Sequence, residues 1–356
     1  MERRMTRAIR VGGITVGGGS PISIQSMTNT DTHNIDATYD QAMRLYEAGC
    51  DILRITAPDL ESVKTFEVLK ARGVPMPLVA DIHFNHEIAI ACSNAGVDKI
   101  RINPGNIGSD ERVRSVVQAC RKNGTPIRIG VNSGSLEKGI LARHGGPTAA
   151  ALAESALYHA SLLEKFDFTD VILSVKASDT RTMIEANRIL AAKTDYPLHL
   201  GVTEAGGGDS AIVKSSIGIG TLLAEGIGDT LRVSLTDDPA SEIYAAREIL
   251  KALSLTDKGG MDIVSCPTCG RTKIDLINLV RQFKDRVKKE GLDRLDIKVA
   301  LMGCAVNGPG EAREADLGIA GGIGEGLIFK KGEILRKVPE DRLIDELIEE
   351  IRSYRP

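Results

Sequence analysis

The sequence predicts an α/β protein, a (β/α)8 barrel of the TIM type followed by a small α+β domain. Three observations carry this reading. Eight short aliphatic segments alternate with stretches of helical periodicity, the pattern of a parallel sheet closed by crossover helices. A unit of helix end, glycine turn and strand recurs as EAGCDILRIT at 47–56, NAGVDKIRIN at 94–103 and EGIGDTLRVS at 225–234, with an echo in IRIG at 127–130. Hydrophobic residues make up 42% of the 356, yet aromatics are only 3% and Trp is absent, so the core is mostly Ala, Val, Ile and Leu, as doubly covered parallel strands require.

The elements follow in order. Ile9–Val16, with Gly12-Gly13 at its centre, reads as a hairpin that plugs the barrel's bottom. The eight strands are expected at Ile22–Met27, Ile52–Thr56, Leu78–Ile82, Ile100–Asn103, Ile127–Val131, Val171–Lys176, Leu198–Thr203 and Leu231–Thr236. Helical periodicity marks Tyr39–Ala48, Ala149–Glu164 and Thr180–Ala192, and Ser241–Leu255 is the eighth helix. The barrel domain is thus 1–255, with a linker at 256–260. A second domain, 261–356, has a helix at Lys273–Lys289, a strand at Ile297–Met302, a glycine-rich loop, a hairpin near Leu327–Leu335 and a terminal helix at Glu340–Tyr354.

A net charge of 45 − 48 = −3 gives no reason to expect nucleic acid. No apolar run approaches the ~20 residues of a bilayer span. The arginine-rich first ten residues lack a following apolar stretch, so the chain is expected to be mature and cytoplasmic. Neither a phosphate-binding P-loop nor a dinucleotide fingerprint occurs, so electrons would come from an external carrier.

Six cysteines are too few for a disulfide scaffold. Cys50, Cys92 and Cys120 lie near helix ends and read as buried, inert thiols. Cys266-Pro-Thr-Cys269 and Cys304 are different, because two closely spaced thiolates and a third after a strand can form three legs of a 4Fe–4S cubane. Structural zinc requires four Cys or His ligands, but all six histidines precede Cys266 and the domain has no fourth Cys. A redox dithiol leaves Cys304 unexplained. Glu311, seven residues past Cys304, can cap the fourth iron as an exchangeable hard ligand or can be a solvated surface carboxylate.

Arg54, Arg101, Arg128 and Arg232 each lie between two aliphatic residues on a strand, so alternation turns them toward the barrel axis, and Lys176 ends its strand similarly. Asp81 and Glu204 are the only acids expected to face them. Five cations against two acids either form a buried salt-bridge network or await an anionic ligand at the C-terminal mouth, where barrel enzymes place their sites. Asn132 and Ser234, at strand ends, can add hydrogen bonds to phosphate oxygens. His83 follows Asp81 by two and fits a structural or a catalytic role.

The segments Pro21–Thr28, Ala80–Phe84, Arg101–Asn106, Gly201–Gly206, Cys266–Thr272 and Gly303–Arg313 together resemble the bacterial 4-hydroxy-3-methylbut-2-enyl diphosphate synthases, iron–sulfur oxidoreductases of non-mevalonate isoprenoid biosynthesis, over essentially the whole chain. The resemblance implies reductive ring opening and dehydration of 2-C-methyl-D-erythritol 2,4-cyclodiphosphate. It implies a 4Fe–4S cluster on Cys266, Cys269, Cys304 and Glu311. Arg54, Arg101, Arg128, Asn132, Lys176, Ser234 and Arg232 would hold the diphosphate. Glu204 would donate a proton, Asn307 would touch the substrate oxygen, and flavodoxin or ferredoxin would supply electrons. Two other readings stay open: a non-redox diphosphate-binding barrel enzyme similar to dihydropteroate synthase with a zinc tail, and an iron–sulfur sensor or binding protein.

Topology adds an expectation about assembly. The eighth helix runs antiparallel to its strand and ends at the barrel's bottom, about 22 Å from where it began. The linker reaches roughly 18 Å when extended. The cluster domain then begins at the wrong end of its own barrel, which predicts a homodimer with the active site shared between chains, as the resemblance also implies.

Overall fold

The computed structural model describes residues 2–256, 260–304 and 312–354. The chain divides into two compact units, Met1–Thr256 and Asp257–Pro356.

The first unit opens with an antiparallel hairpin, β1 (Ile9–Val11) and β2 (Ile14–Val16). Eight parallel strands follow: β3 (Ser23–Met27), β4 (Ile52–Thr56), β5 (Leu78–Asp81), β6 (Lys99–Ile102), β7 (Ile127–Asn132), β8 (Val171–Lys176), β9 (His199–Leu200) and β10 (Thr230–Leu231). Each pairs with its sequence neighbour, β10 returns to β3, and a bridge between Leu173 and Leu198 joins β8 to the start of β9, so the sheet closes as the sequence predicts. The helices are α1 (Ile35–Glu47), α2 (Val63–Ala71), α3 (His86–Asn94), α4 (Pro104–Ile107), α5 (Asp110–Asn123), α6 (Lys138–His144), α7 (Ala149–Glu164), α8 (Thr180–Lys193), α9 (Gly208–Ala224) and α10 (Pro239–Ala252). Side chains of Asn34, Asn85, Thr148, Asp179 and Asp238 accept the first free N–H groups of α1, α3, α7, α8 and α10, which fixes where those helices begin.

The recurring unit now has a physical account. Its glycines, Gly49, Gly96 and Gly226, have φ of 94°, 80° and 77°, a conformation that costs glycine little and ends each helix sharply. Its aspartates each accept the N–H that opens a neighbouring strand. Asp51 takes that of Ile24 at 2.8 Å, Asp98 that of Leu78 at 2.8 Å, and Asp229 that of Leu198 at 2.9 Å. The motif is a clamp at the barrel's lower rim.

The hairpin plugs that rim. Ile9, Val11 and Val16 form one cluster with Ile52, Val79 and Ile172, inward residues near the starts of β4, β5 and β8. The lumen therefore has an apolar floor, and polar side chains begin above it. β9 and β10 are two-residue strands, shorter than the sequence suggests. Single bonds such as Arg232 N–H to the Leu200 carbonyl (2.9 Å) continue the pairing there.

The second unit is a five-stranded sheet of β11 (Asp262–Ser265), β12 (Lys298–Met302), β13 (Leu317–Gly321), β14 (Glu325–Lys330) and β15 (Glu333–Pro339), parallel through β13 and antiparallel after it. Two helices, α11 (Leu276–Lys289) and α12 (Leu343–Ser353), bury Leu279, Phe283, Leu347 and Ile348 against Val299, Leu301, Ile319 and Ile328. α11 starts three residues later than periodicity suggests, since Lys273 N–H bonds back to the Gly303 carbonyl at 2.9 Å and Asp275 caps the helix. Glu340–Arg342 is a single 3-10 turn before α12. Asp316 accepts the Lys298 N–H at 2.9 Å, repeating the aspartate clamp of the barrel.

Asp229 is 2% exposed and also accepts the Thr6 hydroxyl at 2.9 Å. Asp229→Ala strands two buried donors, so urea unfolding is expected to show a loss of about 1–3 kcal/mol; an unchanged midpoint would show that the clamp contributes nothing.

Candidate active site

The strand residues that alternation turns inward meet in one pocket at the C-terminal mouth. A cavity of about 160 Å³ is lined by Arg54, Asp81, His83, Arg101, Arg128, Asn132, Lys176, Arg232 and Ser234, with Gly130, Ser174 and Thr203 between them. Above it, a second cavity of about 320 Å³ adds Phe84, Asn103, Asn106, Ser133, Gly134, Ser135 and Glu204. Every barrel residue expected at the site from the sequence borders one of these two spaces. A larger, mainly apolar cleft between α9 and α10, lined by Ile212, Tyr244 and Ile249, holds none of them.

The charges are partly paired. Asp81 lies 3.1 Å from Arg101 and 3.7 Å from Arg54. Burial pushes its carboxyl up, but Arg54, Arg101 and Arg128 pull it down further, to about 2. Arg232 forms a two-pronged pair with Glu242 at 3.1 and 3.0 Å. Glu242 projects from α10 and is 3% exposed. The second carboxylate of the lumen is thus Glu242. Glu204, expected to face inward beyond the seventh barrel strand, is instead exposed at the rim of the upper cavity, where its backbone holds φ of 52°. A non-glycine residue in that left-handed region is uncommon and points to function.

Arg128 and Lys176 have no carboxylate within ion-pair distance among the described residues, although they are 1% and 8% exposed. The Arg128 Nε and Nη1 atoms have no hydrogen-bond partner there either. Burial first, and the neighbouring cations second, disfavour the charged form of both. Burial also draws Arg54 down to about 10, still fully charged at neutral pH. Its guanidinium donates to the Met27 sulfur at 2.9 and 3.2 Å, and Arg232 approaches that sulfur at 3.6 Å. Arg54, Arg101 and Arg232 are thus at least partly paired, whereas Arg128 and Lys176 have no carboxylate partner among the described residues.

Two glycines make room for these cations. A Cβ on Gly130 would lie 2.4 Å from the Arg101 Nε, and one on Gly201 would lie 2.6 Å from the Lys176 Nζ. Below them is a layer that the sequence reading missed. Lys99 and His199 are fully buried, and neither the Lys99 Nζ nor the two His199 nitrogens have a partner. Burial first, then Arg128 and Arg54, pull Lys99 well down from its usual value, and burial with the same cations does so for His199. Period-two alternation could have found them, since Lys99 precedes Arg101 by two and His199 precedes Gly201 by two. Glu242 and Met27 gave no such signal.

In the second unit, Cys266 and Cys304 follow the ends of the adjacent parallel strands β11 and β12. Gly303 N–H donates to the Cys266 Sγ at 3.2 Å. Cys269 is exposed in the loop between, where backbone and side-chain contacts from Arg271 pull its thiol below the usual value. Three free thiols on neighbouring loops, with an amide N–H aimed at one sulfur, fit the donor set of an iron–sulfur cluster. No preformed grouping of three metal-binding side chains is found among the described residues. Asn307 and Glu311 lie outside those residues. Cys50, Cys92 and Cys120 are buried, with thiols pushed up to about 12 by burial, as inert core cysteines should be.

Comparison with known proteins agrees with this geometry. The chain matches the GcpE TIM-barrel domain over residues 6–247 and the GcpE protein C-terminal domain over 262–353. It is 55% identical to the 4-hydroxy-3-methylbut-2-en-1-yl diphosphate synthase (flavodoxin) of Clostridium perfringens, covering 99% of this chain and 100% of that protein. The protein of the same name from Geobacillus thermodenitrificans is 53% identical over 99% and 92% of the two chains. Among solved structures, type I 3-dehydroquinate dehydratase from Clostridium difficile aligns with a TM-score of 0.52 at 18% identity, covering 70% and 98% of the chains, a likeness of the barrel fold alone.

The unpaired buried lysine yields a stability prediction. Lys99→Met removes an unsatisfied polar group and is expected to raise the unfolding free energy at pH 7 by about 1–3 kcal/mol. The native lysine holds fewer protons than the unfolded one, so wild-type stability rises with pH and the gain from Lys99→Met shrinks toward pH 10. A loss of stability in urea titrations at both pH values would show that Lys99 is paired and charged.

Proposed function

The chain belongs to the 4-hydroxy-3-methylbut-2-en-1-yl diphosphate synthase family, and from that membership we propose how its residues perform the family's reaction. The protein is an oxidoreductase of isoprenoid biosynthesis that reduces 2-C-methyl-D-erythritol 2,4-cyclodiphosphate to 4-hydroxy-3-methylbut-2-enyl diphosphate, with flavodoxin as the electron donor. No helix is long and apolar enough to cross a membrane.

The observation that carries the site assignment is the unmatched positive charge in the 160 Å³ pocket. Arg54, Arg101, Arg128 and Lys176 grip the diphosphate, and Asn132 and Ser234 donate further hydrogen bonds. Arg232 acts at one remove, held by Glu242 and bordering the same space. Ring opening builds negative charge on the phosphate oxygen that is released. Cations fixed beforehand on strands stabilise that charge more than they stabilise the intact ring. Asp81 holds Arg54 and Arg101 in place. Glu204, at the rim of the upper cavity with His83 and Phe84 beside it, protonates the departing hydroxyl.

Cys266, Cys269, Cys304 and Glu311 would hold a 4Fe–4S cluster, and Asn307 would contact the substrate oxygen. When bound, that cluster would relay the two electrons one at a time from the external carrier and would offer a Lewis-acidic iron. The chain leaves the barrel from α10 on the floor side, opposite the pocket. That exit supports a homodimer whose active sites are each shared between two chains.

Anaerobic reconstitution followed by assay with the cyclodiphosphate tests the reading; absence of turnover in the cluster-loaded protein would overturn it. Lys176→Ala is expected to weaken substrate binding by about 1.5–3 kcal/mol while the visible absorbance of the cluster is kept. Cys304→Ser is expected to lose both. Mixing these two inactive variants with verified subunit exchange is expected to restore about a quarter of wild-type activity, because half of the dimers then carry one intact site. A mixture that stays inactive places each site within one chain.

A further inference from the structure

We infer that the exposed face of α11 is the docking surface for the protein electron carrier, and that it fits a partner whose contact face is acidic. The inference rests on the proposed redox function. Ile277, Arg281, Lys284 and Lys288 follow one another at spacings of four, three and four residues, so they form a single stripe along the helix. All four are exposed, and the opposite stripe, Leu276, Leu279, Phe283 and Val287, is buried against the sheet. Arg271 and Lys273, also exposed, extend the positive charge into the loop before the helix.

Part of the charge on this face has no ion-pair partner among the described residues. Like charges three and four residues apart repel, as Arg281 with Lys284 and Lys284 with Lys288 do, and Asp285 offsets this only in part. Several cations elsewhere in the unit are matched. Arg286 pairs with Asp345, Arg336 with Glu346 and Glu350, and Arg342 with Glu346. Among the described residues, no ion pair uses Lys273, Arg281 or Lys284. Ile277 is 54% exposed at the end of the stripe nearest the thiols.

The position of the stripe suits electron delivery. A Cβ on Gly303 would meet Thr272 at 2.8 Å and Leu276 at 3.4 Å, so the first turn of α11 packs on the residue that precedes Cys304 and donates its N–H to Cys266. Cys269 is exposed in the loop that leads into the helix. A carrier seated on Ile277, with its acidic rim over Arg281, Lys284 and Lys288, brings its redox group next to these cysteines. Electron-transfer complexes are small and transient, and complementary charge sets their encounter rate and makes it sensitive to salt.

The test compares two double variants of the full-length, cluster-reconstituted protein with equal change in charge. Arg281→Glu with Lys284→Glu reverses the stripe. Lys122→Glu with Lys193→Glu reverses two exposed lysines on barrel helices. Each pair takes the net charge from −3 to −7, since each of two substitutions subtracts two. Affinity for a flavodoxin is measured by calorimetry at low and moderate salt, and turnover is driven separately by flavodoxin and by dithionite. The stripe variant is expected to bind flavodoxin at least about tenfold more weakly and to lose the salt dependence, while dithionite-driven turnover stays within about twofold of wild type. The barrel variant is expected to behave as wild type. Unchanged flavodoxin affinity in the stripe variant overturns the docking surface, and equal losses in both variants assign the effect to net charge and overturn it as well. Absence of dithionite-driven turnover in the wild type removes the redox reading, and the binding measurement still decides the docking surface.

Discussion

The lumen of the barrel gathers more positive charge than the fold can neutralise. Arg54, Arg101, Arg128, Lys176 and Arg232 face two buried carboxylates, Asp81 and Glu242. A compact domain tolerates such an excess only where rigid surroundings hold the charges apart from one another and from alternatives. The apolar floor of Ile52, Val79 and Ile172 under the hairpin supplies the base of that cage. Gly130 and Gly201 supply the space into which Arg101 and Lys176 extend. The aspartate clamps at the lower rim hold the strands in register, and register decides which residues face the axis.

Much of this was legible in the sequence because it follows from period-two alternation. Arginine between two aliphatic residues on a strand can only point inward when both outer positions are needed by helices. That argument placed Arg54, Arg101, Arg128 and Lys176 correctly around one cavity. The same argument, carried one step lower, reaches Lys99 and His199, where a charged or titratable residue so deep in a barrel runs against the usual composition of interiors. The barrel, its plug, and the two helices, one strand and hairpin of the second unit were also legible from local periodicity and turn chemistry, but β11 and β13 were not.

What was not legible depends on contacts distant in sequence. Glu242 lies on a helix whose inward face gives no hint that it reaches through to Arg232, ten residues earlier on the neighbouring strand. Met27 reads as an ordinary strand end and becomes an acceptor shared by Arg54 and Arg232 only once β3, β4 and β10 are side by side. Glu204 was placed by its distance from a strand, but β9 ends at Leu200 and the glycines that follow release the chain to the rim. The error at Glu204 comes from treating the mouth as an extension of the sheet, when it is built by loops.

The division between strand and loop also separates two kinds of chemistry. Groups that must hold their geometry through a change in charge are fixed on β4 to β8, where backbone pairing on both sides and packed helices outside prevent them from relaxing. Relaxation would let them solvate the ground state as well as the developing anion and so lose the differential effect. The thiols are on loops after β11 and β12, where Cys269 is exposed and Cys266 is fixed by the Gly303 N–H. Under the proposed function, a ligand set that admits a substrate and exchanges electrons requires open approach, which a strand interior does not provide. The clamp formed by Asp316 reconciles the two demands, because it fixes the start of β12 from below while leaving the Cys304 end of that strand free to carry its ligand.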